Sequence, residues 1–499
     1  MHTTNSHNMN NEQQPNGATP HTSASSGRPI IVGLDIGTTK IAAIAGRKNE
    51  FGKLEILGFG RAPSLGVQHG MVLNIEKTIQ AICQAMDECF RSNPSLILNE
   101  VYVGIAGHHI KSLTTRGDIV RKNPDDEILQ EEIQNLIADQ RRTYIPAGDQ
   151  IIDVIPQTFS VDNFQDITDP IGMNGVKLGA SFHIITGDRN AIKNIHRSVE
   201  KANLKTRDLV LQPLASAAAV MSDQDLESGV AIVDIGGGTT DLAIFYEGVL
   251  KHTAVIPFGG ENITMDIKKG LGILKTQAEQ LKIQFGCALV EGAKKNSFIT
   301  IPQMKGLPPR QVSMPLLAEI IQARMSEILD FVSYHLKNQG LDHGVLNGGI
   351  ILTGGGSQLA HLKQLTEYCT GLSARIGYPN EHLASGHLDE LTKPVYSTCI
   401  GLILKGYNDY ETGNPRFSES FMPWGNGIQQ QHVLGTILQQ PEEEIAPIHD
   451  LEVAELATEE EGNASNGKQK NSRKGLRKLF DSIKGGLVDI FSDEEDEKF

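Results

Sequence analysis

Two nearly identical phrases lie far apart in the chain, and they constrain its fold more than any other feature. DIGTTK spans residues 35–40, and DIGGGTTD spans residues 234–241. Each phrase follows one apolar segment and precedes another. Each therefore predicts a β-hairpin whose glycines let backbone N–H groups approach a phosphate without an intervening Cβ. The repeat predicts an α/β chain of two duplicated halves that face each other across one ligand.

The other residue types in the two phrases indicate what that ligand is. Threonine hydroxyls add hydrogen-bond donors, and the aspartate that ends each strand, Asp35 or Asp234, can hold Mg²⁺ directly or through its waters. The alternative for a single phrase is an ordinary tight hairpin turn. The phrases have neither the GxxxxGK[ST] spacing of a P-loop nor the last glycine of a dinucleotide-binding loop, because Asp241 stands at that position.

Two further motifs belong to the same folded part. LTGGGSQL, residues 352–359, predicts a strand, a glycine turn and a helix, where a backbone can lie close to a base or ribose and a helix N-terminus favours negative charge. QPLASAAA begins at Gln212 and places a polar residue at a strand end before a helix of small side chains. Small side chains allow two helices to pack closely where two domains cross.

Composition excludes several classes of protein. The formal charge of −15 argues against nucleic acid as the main partner, because phosphate backbones attract clustered Lys and Arg. Five scattered cysteines without a CxxC pair predict reduced thiols, with no disulfide framework and no structural zinc. No apolar run is long enough to predict a membrane span. Residues 1–28 are polar, lack the apolar core of a signal peptide, and predict a disordered arm.

The end of the chain carries an independent signal. Residues 409–471 are polar and acidic and predict a disordered linker, and residues 472–492 predict an amphipathic helix behind it. Such a helix lies in a membrane interface, with its cations at anionic head groups. The alternative is a helix that docks on its own domain or on a partner. The apolar face comprises Leu476, Leu479, Phe480, Ile483, Leu487, Ile490 and Phe491, and the basic face comprises Arg473, Lys474, Arg477, Lys478 and Lys484.

The order of DIGTTK, QPLASA, DIGGGTTD, TGGG and YSTCIG resembles the superfamily of actin, sugar kinases and Hsp chaperones over almost all of residues 30–407. Within it, the chain resembles the FtsA family of bacterial cell division proteins, on IPFGGENITMDI (256–267), AEQLKIQFG (278–286) and the QPLASA wording. The resemblance implies an α/β fold of actin-like (ribonuclease H-like) duplicated domains with an inserted FtsA-type 1C (SHS2) subdomain. Actin and the rod-shape protein MreB have no insert at that place.

The resemblance also implies an order of subdomains. Subdomain 1A would comprise residues 29–99 and 206–228, with subdomain 1C and its return in residues 100–205. Subdomain 2A would comprise residues 229–260 and, with the closing helix, residues 348–408. Subdomain 2B would comprise residues 261–347.

Site residues follow from the same resemblance. Gln212 matches the polar position that in actin helps order the attacking water, so Gln212 and Asp234 are the candidate catalytic residues. Asp35 and Asp234 would lie nearest the metal. Glu279 and Lys282 would reach the ribose and adenine, although they could equally form a surface i,i+3 ion pair. The first phosphate loop would use Asp35, Gly37, Thr38, Thr39 and Lys40, and the second would use Gly236, Gly237, Gly238, Thr239 and Thr240. Gly260 and Asn262 would lie beside the nucleotide. The adenosine pocket would be completed by Gly354, Gly355, Gly356 and Ser357.

The function implied is that of an ATP- and Mg²⁺-binding protein that polymerises and has weak or no ATPase activity. Its filaments would tether the tubulin-like FtsZ to the inner face of the cytoplasmic membrane at the division septum, with the FtsZ C-terminal peptide docked on subdomain 2B. The alternatives are a small-molecule kinase of the superfamily and a PilM-like assembly protein. A kinase would need a general base and a substrate pocket, and the sequence offers no such constellation beyond the phosphate loops.

Overall fold

The computed structural model describes residues 27–414, apart from residues 95, 97, 303–307, 342–343 and 386–388. The predicted amphipathic helix at residues 472–492 and nearly all of the two predicted disordered segments therefore lie outside the described residues. None of the helices in the described part combines the length and hydrophobicity that a membrane span requires. All five cysteines are free thiols, as predicted.

The first half opens with an antiparallel hairpin built on the first repeat. Its register pairs Asp35 with Ala42, so the glycine-threonine turn lies at the carboxyl end of a fully buried strand. The following helix begins at Ile75, because the Asn74 side chain accepts the Lys77 N–H at 3.0 Å and caps it. The elements are β1 (Ile31–Ile36), β2 (Lys40–Lys48), β3 (Leu54–Pro63), β4 (Val67–Gln68), β5 (Met71–Val72), α1 (Ile75–Arg91) and β6 (Glu100–Ile105).

An inserted unit follows β6 and has a core of its own. Its antiparallel sheet has the order β7-β10-β8-β9, and α2 covers one face through Ile133 and Leu136. The insert also contacts the second half, since Gln157 Nε2 donates to the Leu250 carbonyl at 2.6 Å. Its elements are β7 (Lys111–Val120), α2 (Gln130–Gln140), β8 (Asp149–Val161), β9 (Phe164–Ile167) and β10 (Lys177–Asp188).

The chain then returns to complete the first sheet. This sheet has the order β11-β6-β1-β2-β3, with β6 parallel to both β1 and β11. The apolar, fully buried sequences of β1 and β6 suit central strands that are covered on both faces. The elements of the return are α3 (Arg189–Lys201), β11 (Lys205–Leu211), α4 (Gln212–Val220) and α5 (Asp223–Ser228).

The second half repeats this topology. Its sheet has the order β14-β13-β12-β17-β18. As in the first sheet, two adjacent antiparallel pairs are followed across the sheet by two parallel pairs, when the first sheet is read from β3 to β11. The predicted duplication is therefore confirmed. The elements are β12 (Val230–Ile235), β13 (Thr240–Tyr246), β14 (Val249–Ile256), α6 (Gly260–Leu271), α7 (Lys275–Phe285), β15 (Phe298–Ile301), β16 (Arg310–Ser313), α8 (Met314–Asn338), β17 (Gly349–Thr353), α9 (Leu362–Thr370), β18 (Ala374–Ile376) and α10 (Ser397–Glu411).

The helical stretch predicted over residues 261–286 consists of two helices, α6 and α7. The division falls at Gly272, which adopts a left-handed conformation with φ of 60° and caps α6. A glycine takes this conformation without the Cβ clash that other residues meet, and it commonly ends a helix for that reason.

The helix of small residues, α4, packs against α10 next to the two sheets. α4 contacts β12 of the second half, and α10 contacts β1 of the first. The helices approach so closely that a Cβ at Gly401 would lie 1.7 Å from the Ala215 carbonyl oxygen. The predicted role of the small side chains in close helix packing is confirmed.

Candidate functional site

The two predicted phosphate loops touch each other. A Cβ at Gly237 would lie 2.5 Å from Thr39 Cγ2, and a Cβ at Gly238 would lie 2.5 Å from Thr38 Oγ1. Each turn is closed by the same backbone hydrogen bond, from Gly37 N–H to the Lys40 carbonyl at 3.1 Å and, in the second loop, from Gly236 N–H to the Thr239 carbonyl at 2.9 Å. Two equivalent turns, one from each half, therefore meet face to face.

Three buried carboxylates line this meeting point. Asp35 accepts a hydrogen bond from Gln212 Nε2 at 2.9 Å, and Lys40 Nζ lies 3.5 Å from its other oxygen. Asp241 accepts a hydrogen bond from Thr239 Oγ1 at 2.8 Å. Its second oxygen, Oδ1, is buried and has no hydrogen-bond partner within the described residues.

Asp234 is held by hydroxyls from the two packed helices. Ser216 of α4 and Thr398 of α10 both donate to Asp234 Oδ2, the latter at 3.2 Å, and the two hydroxyls lie 2.9 Å apart. The close helix packing therefore also fixes the orientation of a predicted metal ligand.

Burial and mutual repulsion raise the pKa values of these carboxyl groups. Burial raises the pKa of Asp241 to about 8, and the nearby charges of Asp234 and Asp35 add to the effect. Burial raises the pKa of Asp234 to about 6, against the opposing hydrogen bond from Ser216. The pKa of Asp35 is also raised by burial, and the Lys40 ammonium opposes that shift. The cluster is therefore short of positive charge.

The turn before α6 lies directly on the second phosphate loop. Gly260 N–H donates to the Gly236 carbonyl at 2.9 Å, and the Asn262 side chain accepts the Gly259 N–H at 3.0 Å. Lys282 Nζ from α7 donates to the Gly260 carbonyl at 2.8 Å. Lys282 also forms the i,i+3 ion pair with Glu279, at 2.9 Å, that the sequence left as an alternative. Lys282 therefore forms the ion pair with Glu279 and also lies beside the second phosphate loop.

The TGGG turn packs on the end of β12. Gly354 has a φ of 80°, and a Cβ there would lie 2.2 Å from Asp234 Oδ1. A Cβ at Gly356 would lie 2.3 Å from Ile235 Cγ2, whereas one at Gly355 would meet only Val395, at 3.5 Å. The Ser357 hydroxyl is buried and donates to the Gly354 carbonyl at 2.8 Å, so it holds the turn.

Several of these site residues were not recognised from the sequence. Asp241 was noted only as a mismatch to another motif, although a carboxylate inside an apolar strand is a usable signal. Ser216 was considered only as one of the small side chains of QPLASAAA, and Thr398 only as a part of the YSTCIG motif. His69 gave no signal, yet its Nδ1 donates to the Gly238 carbonyl at 3.2 Å and the next N–H, of Gly70, donates to Thr38 Oγ1 at 3.2 Å.

Comparisons with known proteins identify the family that this chain resembles. A family model described as cell division protein FtsA matches residues 231–401, and one described as the SHS2 domain inserted in FtsA matches residues 107–186. A cell division protein FtsA from Pseudomonas aeruginosa is 37% identical over 384 residues, which cover 77% of this chain and 91% of that protein. One from Neisseria meningitidis is 40% identical over 370 residues, 74% of this chain and 88% of that protein.

The chain belongs to the FtsA family. The resemblance inferred from the sequence is therefore confirmed, and so is the actin-like duplicated fold with an SHS2 insert. A solved PilM-PilN type IV pilus biogenesis complex has a similar fold, with a TM-score of 0.55 over 75% of this chain and 98% of that one. Its 16% identity supports the shared fold alone. The subdomain boundaries and the individual binding residues stay predictions.

Proposed function

We propose that this FtsA-family protein binds ATP with Mg²⁺ between its two halves. The observation that carries the proposal is the contact of Gly237 and Gly238 with Thr39 and Thr38, which brings two glycine- and threonine-rich turns to one point. Turns of this kind present backbone N–H groups and hydroxyls to a phosphate. Two of them, one from each half, would hold a polyphosphate from both sides.

Within the described residues, no group of three His, Cys, Asp or Glu side chains is arranged to hold a metal ion, so a divalent cation beside the carboxylate cluster would take further ligands from water and from the phosphates. Mg²⁺ prefers oxygen ligands and retains several of its waters. Asp35, Asp234 and Asp241 supply buried oxygens, one of them without a hydrogen-bond partner in the described chain. Within the same residues, Lys40 is the one cation that lies within 4.0 Å of any of the three. A bound cation would offset the burial that raises their pKa values and the repulsion that adds to it for Asp234 and Asp241.

The adenosine would lie on the side of the second half, between the TGGG turn and the α6–α7 pair. A Cβ at Gly355 would meet only Val395, at 3.5 Å, and Lys282 contacts the turn before α6. The ammonium of Lys282 is fixed by the Gly260 carbonyl and by Thr264 Oγ1, each at 2.8 Å. Gln212, hydrogen-bonded to Asp35, would orient a water at the phosphate end.

We infer further that the nucleotide-bound protein polymerises head to tail and tethers FtsZ to the inner face of the cytoplasmic membrane. Heterologous contacts that do not close into a ring generate filaments. The proposed membrane contact is the segment 472–492, and many weak contacts along a filament bind strongly through avidity. The proposed FtsZ peptide site in residues 261–347 exposes large apolar side chains in its described part, among them Leu274, Ile283 and Phe298.

Sedimentation with anionic vesicles tests both the proposed ATP binding and the proposed membrane tether. The full chain should pellet with vesicles in the presence of Mg²⁺ and ATP. Asp234→Ala should lose ATP-dependent pelleting, and a chain that ends at residue 471 should not bind vesicles at any nucleotide concentration. Vesicle binding by the shortened chain equal to that of the full chain would refute the membrane tether.

The kinase alternative has its own test. Incubation with labelled ATP and a panel of sugars and polyols should give no phosphorylated product. Transfer that depends on Asp234 would favour a small-molecule kinase, whereas ATP-dependent filaments seen by electron microscopy support the proposed function.

A further inference from the structure

Lys40 is the flexible member of the proposed phosphate site. It is the first residue of β2, directly after the turn of the first phosphate loop. Its Nζ lies 3.5 Å from Asp35 Oδ2, and its side chain is partly exposed. A lysine ammonium stands at the end of a flexible four-carbon chain, and holding it in one place costs conformational entropy. One ion pair sets the distance of the ammonium from Asp35, and a second contact is needed to set its direction.

The ring of Tyr396 supplies this second contact. Lys40 Nζ lies 4.8 Å from the centroid of that ring. At such a distance the negative face of an aromatic ring attracts a cation, and the attraction is stronger where water is excluded. Tyr396 is only 2% exposed, so the ring itself is shielded from water. The ammonium is therefore held between a carboxylate and an aromatic face.

Tyr396 is in turn fixed by its own neighbours. Its ring packs edge to face against Phe59 of β3, with the centroids 5.2 Å apart and the ring planes at 88°. Its hydroxyl accepts a hydrogen bond from Arg61 Nη1 at 3.2 Å and donates one to Glu390 Oε1 at 3.0 Å. Arg61 and Glu390 also form an ion pair. The orientation of the ring is therefore set independently of Lys40.

The short segment around Tyr396 also contacts the other parts of the site. The Pro394 carbonyl accepts the N–H of Gly354, in the TGGG turn, at 3.3 Å. The Thr398 hydroxyl donates to Asp234 Oδ2 at 3.2 Å. Tyr396 lies between these two contacts in the sequence. One segment therefore touches the proposed adenosine turn, a candidate metal ligand and, through this ring, the first phosphate loop.

We propose that Tyr396 is a positioning residue whose ring holds the Lys40 ammonium at the phosphate loop, where it meets the phosphates of the nucleotide. The inference rests on the proposed function, to which it adds a residue that the sequence showed only as the first of the YSTCIG motif. Tyr396 acts through Lys40 and not on the nucleotide itself. The ring is what the role requires, so phenylalanine should replace tyrosine, and an aliphatic side chain should not.

ATP binding by the full chain in the presence of Mg²⁺ tests this role. Y396L should lower the affinity about two- to thirtyfold, the range expected for the loss of a cation–π contact. Y396F keeps the ring and should bind ATP as the wild type does. The matched control is Y246L at the far end of β13, which removes a similar contact, with Lys251 Nζ 5.7 Å from the ring centroid. This control should leave the affinity unchanged.

A double-mutant cycle separates positioning from packing. K40M removes the ammonium and keeps an unbranched side chain. In the K40M background, Y396L should cause no further loss of ATP affinity, because no ammonium is left to hold. A loss that persists in that background shows that Tyr396 acts only on the packing of the site, and it would overturn the proposal.

Nuclear magnetic resonance of the nucleotide-free protein gives a readout that does not depend on ATP. With lysine labelled with ¹³C at Cε, the signal that disappears in K40M is that of Lys40. The ring current of Tyr396 should shift its ε protons upfield of those of the exposed lysines. The shift should persist in Y396F and vanish in Y396L. A wild-type Lys40 signal at the position of the exposed lysines contradicts the contact.

Fluorination of the ring covers the case in which Y396L does not fold. Phenylalanines that carry one, two or three ring fluorines at position 396 keep nearly the same shape, while each fluorine weakens the negative potential of the ring face. The ATP affinity should fall stepwise with the number of fluorines, and circular dichroism checks the fold of every variant. An affinity that does not change with fluorination would overturn the proposal.

The wild-type measurement separates this inference from the proposed function. A wild-type chain that does not bind ATP overturns the proposed function and this inference with it. ATP binding that is equally strong in the wild type and in folded Y396L overturns this inference alone.

Discussion

Gly237 of the second hairpin lies against Thr39 of the first, with room for a hydrogen atom and not for a methyl group. A Cβ at residue 237 would lie 2.5 Å from Thr39 Cγ2 and 3.0 Å from its Oγ1. The two residues are far apart in the sequence, and their contact joins the two halves at the proposed phosphate site. The architecture of that site therefore depends on the absence of one side chain.

Gly237→Ala should destabilise the protein and weaken ATP binding. Forced overpacking of this kind typically costs about 1–3 kcal/mol. Thr39→Ala removes both of the nearest atoms, so the double variant should recover a substantial part of the stability lost in Gly237→Ala. A double-mutant cycle on the unfolding free energy measures the coupling. Strictly additive effects would contradict a direct contact between these residues.

The contribution of Asp241 to the stability of the nucleotide-free protein should fall as the pH rises from about 4 to about 8, and below about pH 6.5 the lowered pKa values of His109, His183 and His252 oppose it. Asp241 has its pKa raised from 3.8 to about 8 in the folded protein. Within this window the unfolded chain has lost the proton that the folded chain still holds, so each pH unit costs up to about 1.4 kcal/mol. Urea unfolding at several pH values measures the slope.

Asp241→Asn should remove much of this pH dependence, because an amide does not ionise. The exposed Asp87→Asn on α1 is the matched control and should keep the wild-type slope. A raised Mg²⁺ concentration with ATP should also flatten the wild-type curve. An Asp241→Asn protein with an unchanged slope would show that another group is responsible.

Ser216→Ala should shift the pH dependence of Mg²⁺-ATP binding to higher pH. The Ser216 hydroxyl donates to Asp234 and opposes the rise of its pKa, so its loss leaves more of Asp234 protonated near neutral pH. Hydrogen bonds to charged groups contribute about 1.5–3 kcal/mol. Binding titrations between pH 6 and pH 9 measure the effect, which should be smaller for Thr398→Ala, whose hydroxyl is the longer contact at 3.2 Å.

His69→Ala should destabilise the protein more than His69→Asn. His69 has a φ of 46°, a left-handed conformation that Asn adopts more readily than Ala, and its ring also donates to Gly238. We expect a difference of about 1 kcal/mol from the backbone alone. Thermal unfolding with and without ATP measures the stability of each variant and the stabilisation that ATP adds to it. Equal melting temperatures for the two variants would contradict the backbone argument.

The sequence alone predicted the local parts of this protein. The two hairpins, the TGGG turn and the small residues of α4 each rest on neighbouring residues, and the structure has all of them. The duplication followed from the repeated phrase, because the same local sequence folds to the same local turn. The break at Gly272 was missed, since a glycine within a helical pattern does not always end the helix.

Only the tertiary structure decided which distant groups share the site. Ser216 and Thr398 are separated by 182 residues, yet their hydroxyls lie 2.9 Å apart and donate to the same carboxylate oxygen. Burial is the main cause of the raised pKa of Asp241, and of the two carboxylates that add to it only Asp35 comes from the other half of the fold. Burial and electrostatic coupling depend on how the halves pack, and no local pattern of residues contains that information.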